Sequence, residues 1–317
     1  MSTRFERLPA RVIVAVVAIP LIVFAIFEGG YVFFALIGVI SAITLFEFYA
    51  MARTKGAEPL TGLGIAAGIL VNAAFLYERF QVEVYSFFAE RGYHLKLFSQ
   101  LQFLLVVIIV FVLIALSIEL FRRKGSPLLN ISTTLAGVLV ISLCFGLLVG
   151  LRELYSDGFP LHKFFGGSFR AGEEELSTVR SWGGWTVLSV VVALWTCDTA
   201  AYFVGSTFGK HKLFPSVSPG KTWEGAIAGF LGALAVMVTG RELFLPYLTL
   251  ADGILLGVIV GVFGQMGDLI ESRFKRDAGT KDSSALIPGH GGMYDRFDSL
   301  VFAAPFVYLY IDFIVLS

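Results

Sequence analysis

Long apolar runs, each close to the length that crosses a bilayer as a helix, are the dominant feature of this chain of 317 residues. A spanning helix needs roughly 20 predominantly apolar residues. About nine runs qualify, near 10–28, 31–50, 60–77, 101–121, 132–150, 184–206, 224–239, 247–266 and 300–316. They are continuous rather than alternating, which selects helices over a β-barrel. Only 15% of residues are charged, against about 25% in a soluble domain. The expected fold is an all-α polytopic membrane protein with about nine transmembrane helices.

Formal net charge is zero, so bulk charge selects no partner, and no nucleic acid is expected. The placement of charge says more. If the N-terminus is inside, 16 of the 24 Lys and Arg residues fall in inner loops and eight in the longer outer loops. The positive-inside rule then gives a cytoplasmic N-terminus and a C-terminus outside. The first run follows Arg4, Arg7 and Arg11 but lacks a clear small-residue cleavage site, so it reads as a retained helix. Cys144 and Cys197 lie within apolar runs and form no metal or disulfide framework.

Three parts follow along the chain. Residues 1–150 are hydrophobic helices whose acids Glu28, Glu47 and Glu119 fall near segment ends, an interfacial position. Residues 151–183 are polar and read as an outer loop with little regular structure. In residues 184–317 charge enters the helices themselves and crowds the inner loops. Gly253, Gly257, Gly261 and Gly264, and likewise Gly225 and Gly229, place small residues where helix backbones can approach.

Asp198 lies inside the sixth run, where an ionised carboxylate is costly and marks a site or a buried partner. Tyr202 and Gly205 share its helical face. Next comes SPGKTWEG, Ser218 to Gly225. Its Gly-Lys-Thr is not a phosphate-binding loop of the strand–helix type, because position 215 is Pro and the setting is a membrane loop. A Ser-Pro-Gly turn before a helix still puts backbone N–H groups and Lys221 where an anion binds.

The densest segment is KRDAGTKDSSALIPGHGGMYDRFDS, Lys275 to Ser299, between the last two runs. Asp268, Ser272 and Lys275 share one helical face. Arg276 suits a phosphate contact or a snorkelling interfacial position equally. Glycines around His290 permit unusual backbone and close ligand approach. Asp295 and Asp298 are three apart on the final helix and, with Asp268, make three carboxylates with no Cys ligand. Oxygen ligands of this kind favour Mg²⁺, which carboxylates and substrate phosphates usually hold together. Cations, such carboxylates and a glycine turn at a membrane surface describe a polyphosphate site, and the bilayer suggests a lipid co-substrate.

These residues resemble the phosphatidate cytidylyltransferase, or CDP-diacylglycerol synthase, family. SRFKRDAGTKDSSALIPGHGGMYDRFD, Ser272 to Asp298, matches that family's signature without a gap, and DTAAYFVG and SPGKTWEG are similar to its upstream segments. The family often has two lysines where this chain has Gly220 before Lys221. The resemblance implies transfer of the cytidylyl group of CTP to phosphatidic acid, with pyrophosphate released, at the cytoplasmic face of an inner or plasma membrane. It implies metal at Asp268 and Asp295, with Asp298 close by and Asp198 as an outer or second-cation residue. The cofactor would be Mg²⁺, with a second monovalent or divalent cation conceivable. Lys281, Asp282, His290 and Arg296 are the catalytic candidates. Ser218, Lys221, Thr222, Ser272, Lys275 and Arg276 are the substrate-binding ones. The partners are CTP and phosphatidic acid in the bilayer, the latter expected to enter between C-terminal helices, and a homodimer is possible. The competing readings are a CTP-dependent polyprenol or phytol kinase, which needs a base for its alcohol, and an ion-coupled transporter, which would favour internal repeats and polar residues along a pathway.

Overall fold

The computed structural model describes residues 8–93, 97–156, 159–165, 172–287 and 291–317. Helices α1 (Leu8–Glu28), α2 (Gly30–Arg53), α3 (Thr61–Ala74), α4 (Tyr77–Ala89) and α5 (Gln100–Phe121) form the first part. A long helix follows, α6 (Pro127–Gly137) and α7 (Leu143–Glu153) joined through a π-helical turn at Val138–Ser142, and then the short α8 (Leu161–Phe164). The last part is α9 (Glu173–Phe208), a hairpin of β1 (Lys212–Phe214) and β2 (Ser218–Thr222), α10 (Trp223–Phe244), α11 (Leu250–Asp277) and α12 (Tyr294–Tyr310).

Each of the nine apolar runs falls on a helix. Among the described residues seven helices are long and apolar enough to cross a membrane, or eight if α3 and α4, bent by 69° at their junction, count as one span. Within α1, itself 21 residues long, Val14–Glu28 adds a further apolar stretch of helix. The protein is therefore a nearly all-helical, multi-pass membrane protein.

Three segments differ from the sequence expectation. The supposed outer loop becomes helical at Glu173, where Glu173, Glu174 and Glu175 occupy the first turn of α9. Carboxylates there oppose the positive end of the helix dipole. The connector after α3 contains amphipathic α4, whose side chains are not buried. The Ser218–Thr222 segment is a strand rather than an open turn, with Lys212 opposite Thr222 and Phe214 opposite Ser218.

The C-terminal helices pack in sequence, α9 on α10, α10 on α11 and α11 on α12. The N-terminal part meets them through α1 on α9, α7 on α12 and α2 on α12. Polar contacts identify one end of the bundle: Lys55 pairs with Asp277 at 3.3 Å, Thr54 Oγ1 donates to the Ala278 carbonyl at 3.2 Å, and Arg122 pairs with Glu58 at 3.6 Å. At the other end, the Arg152 guanidinium donates to the Ile26 and Phe27 carbonyls, and Lys163 Nζ to the Val315 carbonyl at 2.9 Å. The cation-rich connections 209–222 and, among the described residues, 278–287 and 291–293 thus share an end with 53–61 and 122–126. The C-terminus lies at the opposite one.

Candidate active site

A polar cavity of about 500 Å³ opens where the C-terminus of α9, the hairpin, the N-terminus of α10, the last part of α11 and the first turns of α12 converge. Asp198, Ser218, Lys221, Thr222, Asp268, Asp295, Arg296 and Asp298 all line it, with Tyr202 and Gly205 continuing the Asp198 face. Side chains drawn from four segments of the sequence therefore share one space.

Local structure explains their aim. The Thr222 hydroxyl accepts from Gly225 N at 3.2 Å and starts α10, which fixes the preceding strand and hence Lys221. Lys221 Nζ reaches Asp268 Oδ2 at 2.7 Å. Gly267 lets α12 approach α11 closely, since a Cβ there would lie 2.5 Å from the Asp298 carbonyl oxygen. That contact brings Asp268 and Asp298 to the same wall. Asp198 lies within electrostatic range of Asp268, Lys221 and Arg296.

Other predicted residues sit behind the wall. Lys275 Nζ is held between Glu271 Oε2 at 2.5 Å and Asp295 Oδ1 at 2.6 Å. Ser272 Oγ donates to Asp268 Oδ1 at 3.3 Å. Arg276 is exposed, and its Nε donates to the Val217 carbonyl at 3.2 Å, which ties the end of α11 to the hairpin. Lys281 and Asp282 are exposed in the loop and do not line the cavity. His290 lies outside the described residues. Gly291 has φ +83° and bridges back to Ile287, a conformation that favours glycine.

The carboxylates differ in what already surrounds them. Asp295 Oδ2 accepts from Ser283 N at 2.9 Å, Ser283 Oγ at 2.9 Å and Gly292 N at 2.8 Å, while Oδ1 faces Lys275. As arranged, Asp295 presents little capacity for a cation. No group of three His, Cys, Asp or Glu among the described residues is close enough to hold a metal by itself. Asp198, Asp268 and Asp298 face a cavity large enough for phosphates, and this donor set fits a Mg²⁺ shared between one or two carboxylates and substrate rather than an all-protein cage.

An apolar cavity of about 510 Å³ adjoins the polar one, between α1, α2, α9 and α12. Ile22, Phe33, Ile37, Val191, Leu194 and Leu300 are among its walls, and Asp198 and Arg296 line both cavities. The apolar space lies between N-terminal and C-terminal helices, not among the C-terminal helices alone.

Sequence reasoning missed several residues here. Glu47 and Glu119, near the ends of their helices, are buried within the protein, with 2% and 4% exposure. Glu119 Oε1 accepts from Asn130 Nδ2 at 2.5 Å. Glu47 accepts from the loop before α12, and Glu271 is fully buried beside Lys275. The available signal was an acid inside an apolar run, which is expensive unless partnered. For Glu47, distance from the motif in sequence hid the connection.

Residues 9–314 match the model of the cytidylyltransferase family. The chain is 33% identical to a phosphatidate cytidylyltransferase of Synechocystis sp. over 310 residues, covering 95% of each chain. It is 30% identical to a protein of the same name from Bacillus subtilis over 301 residues, covering 94% of this chain and 95% of the relative. A third of that name, from Haemophilus influenzae, is 31% identical over 318 residues, covering 98% of this chain and all of the relative.

Proposed function

The chain belongs to the cytidylyltransferase family, and from that membership we propose that it transfers the cytidylyl group of CTP to phosphatidic acid, giving CDP-diacylglycerol and pyrophosphate. The observation that carries this reading is the junction of the two cavities at Asp198 and Arg296. A nucleotide triphosphate needs a polar, cation-lined space, acyl chains need an apolar one, and the reacting phosphates must meet where the spaces join.

The triphosphate lies against Lys221 and the β2–α10 junction, with Arg296 on the opposite wall. The phosphatidic acid chains occupy the apolar cavity and present the head group at Arg296. An oxygen of the lipid phosphate attacks the α-phosphorus of CTP, a new P–O bond forms, and the bond to the β-phosphate oxygen breaks. The nucleophile is already ionised, so no strong general base is required. The protein contributes position and fixed positive charge, the principal needs of phosphoryl-type transfer. Asp268 and Asp298 would hold Mg²⁺ with Asp198 beside them. When bound, the ion neutralises charge on the triphosphate. Asp295 and Lys275 set the wall rather than touch substrate. The end of the bundle that bears the cavity faces the cytoplasm, as its Lys and Arg content favours, in an inner or plasma membrane.

The test is purified protein in detergent with phosphatidic acid, Mg²⁺ and α-labelled CTP. Labelled lipid, lost on chelation, is the expected result. Absence of labelled lipid, with transfer from γ-labelled CTP to a lipid alcohol, would replace this reading with a lipid kinase.

A further inference from the structure

Glu47 is an acid of α2, 2% exposed, and far in sequence from the residues it binds. Its two oxygens accept hydrogen bonds from Ser284 Oγ at 2.5 Å, Met293 N at 2.9 Å and Tyr294 N at 2.8 Å, and Ser283 Oγ, whose one proton is shared with Asp295, lies 3.1 Å away. The last two donors belong to the start of α12, so a side chain from another helix caps it. Gly292 fits closely between these groups, for a Cβ there would lie 2.7 Å from Glu47 Oε2. Ser283 Oγ also lies 2.9 Å from Asp295 Oδ2, and Asp295 in turn holds Lys275 at 2.6 Å. A continuous polar chain therefore runs from Glu47 through Ser283 and Asp295 to Lys275 and Glu271. Arg296, which lines both cavities, is the residue after Asp295.

We propose that Glu47 is a positioning residue for the transfer, anchoring Ser283 and Ser284 to the start of α12 at Met293 and Tyr294 so that Asp295 and Arg296 stand at the junction of the cavities. The proposal rests on the cytidylyl-transfer reading for what is positioned, and on geometry alone for the anchoring. It makes α2, in the hydrophobic part of the chain without a chemical motif, a member of the active-site scaffold. A buried acid of this kind also has a plainer use, stabilising the fold, and Glu119 supplies the comparison. It is equally buried, binds Asn130 and Arg122 near the end of α5, and lies outside both cavities.

The experiment compares Glu47→Gln, Glu119→Gln and the unaltered full-length protein in detergent. It measures steady-state kinetics, thermal midpoint and amide hydrogen exchange. The Glu47→Gln amide nitrogen faces a backbone N–H that can only donate, so that bond is lost, while the serine hydroxyl beside it can turn to accept. Misplacing groups at a reacting centre by about 1 Å costs on the order of 100-fold in rate. The expected result for Glu47→Gln is a kcat lowered by about 10- to 100-fold, with KM for CTP moved far less. Exchange is faster in the peptide spanning 283–294 and unchanged in α9 and α10. Glu119→Gln loses thermal stability to a similar degree and keeps its kcat. A Glu47→Gln kcat within about twofold of the unaltered protein, or a loss matched by Glu119→Gln and tracking the unfolded fraction, overturns the proposal. If the unaltered protein makes no CDP-diacylglycerol, the functional reading fails. Unchanged exchange in 283–294 then refutes the anchoring too, whereas faster exchange sustains it and removes only the reaction it serves.

Discussion

Asp268 and Asp295 have the same side chain and different surroundings, and the account assigns them different work. Both line the cavity, but Asp268 meets Lys221 at 2.7 Å and Ser272 at 3.3 Å, one on each oxygen, whereas Asp295 is occupied by Lys275, by the backbone and side chain of Ser283 and by Gly292. Asp268→Asn is expected to raise the Mg²⁺ concentration for half-maximal activity by about 10-fold or more, as losses around metal sites do. Asp295→Asn is expected to lower kcat with a Mg²⁺ requirement near that of the unaltered protein. A Mg²⁺ titration of initial rates separates them, and the opposite pattern would make Asp295 the ligand. Lys221→Ala, which removes a cation from the nucleotide side, should raise KM for CTP by about 10-fold, or roughly 1.4 kcal/mol, and leave KM for phosphatidic acid unchanged. Much at this scale was legible in the sequence, because the cavity residues come from short motifs in which carboxylates, cations and glycines crowd together at one end of the helices. Lys275 and Arg276 show the limit. Residue type marks them as cations near phosphate, but only tertiary placement shows that Glu271 and Asp295 hold one and that the other ties α11 to Val217. Glu47 was less legible still, since its partners are remote in sequence.

At the scale of elements, continuous hydropathy located the apolar part of every long helix, because a spanning segment must satisfy its own backbone and expose apolar side chains to lipid. It said little about ends and joints. The start of α9 at Glu173 is set by three carboxylates at a helix terminus, and the apolar run that ends near residue 77 marks where α3 gives way to α4 without showing the 69° bend. The close crossing of α11 and α12 depends on Gly267. A Gly267→Ala methyl would sit 2.5 Å from a backbone oxygen of α12, so α12 must move. The expected outcome is a loss of about 1–3 kcal/mol, typical of overpacking, seen as a lower thermal midpoint together with reduced kcat. Helix α1 has another role, as one wall of the apolar cavity. Ala18 lines it, and Ala18→Phe should raise KM for phosphatidic acid by roughly 10-fold, with KM for CTP unchanged. Equal changes in both constants would place the acyl chains elsewhere.

For the whole molecule, the arrangement is two spaces of opposite polarity meeting at one pair of residues. The polar space belongs to the C-terminal helices and the hairpin between them, and the apolar space needs α1 and α2 as well. This explains why an N-terminal part with no chemical motif stays packed against the motif-bearing helices. It also shows what no motif conveys: the lipid side is a volume between helices, defined by packing rather than by residue type. The most direct test is photolabelling with a phosphatidic acid that carries a diazirine on one acyl chain, with the labelled peptides mapped by mass spectrometry. The account predicts label in α1, α2, α9 and α12, at residues such as Ile22, Ile37, Leu194 and Leu300, reduced by excess unlabelled phosphatidic acid. Label confined to the outward groove of α9 and α10 around Leu188, Val192 and Val236 would contradict it.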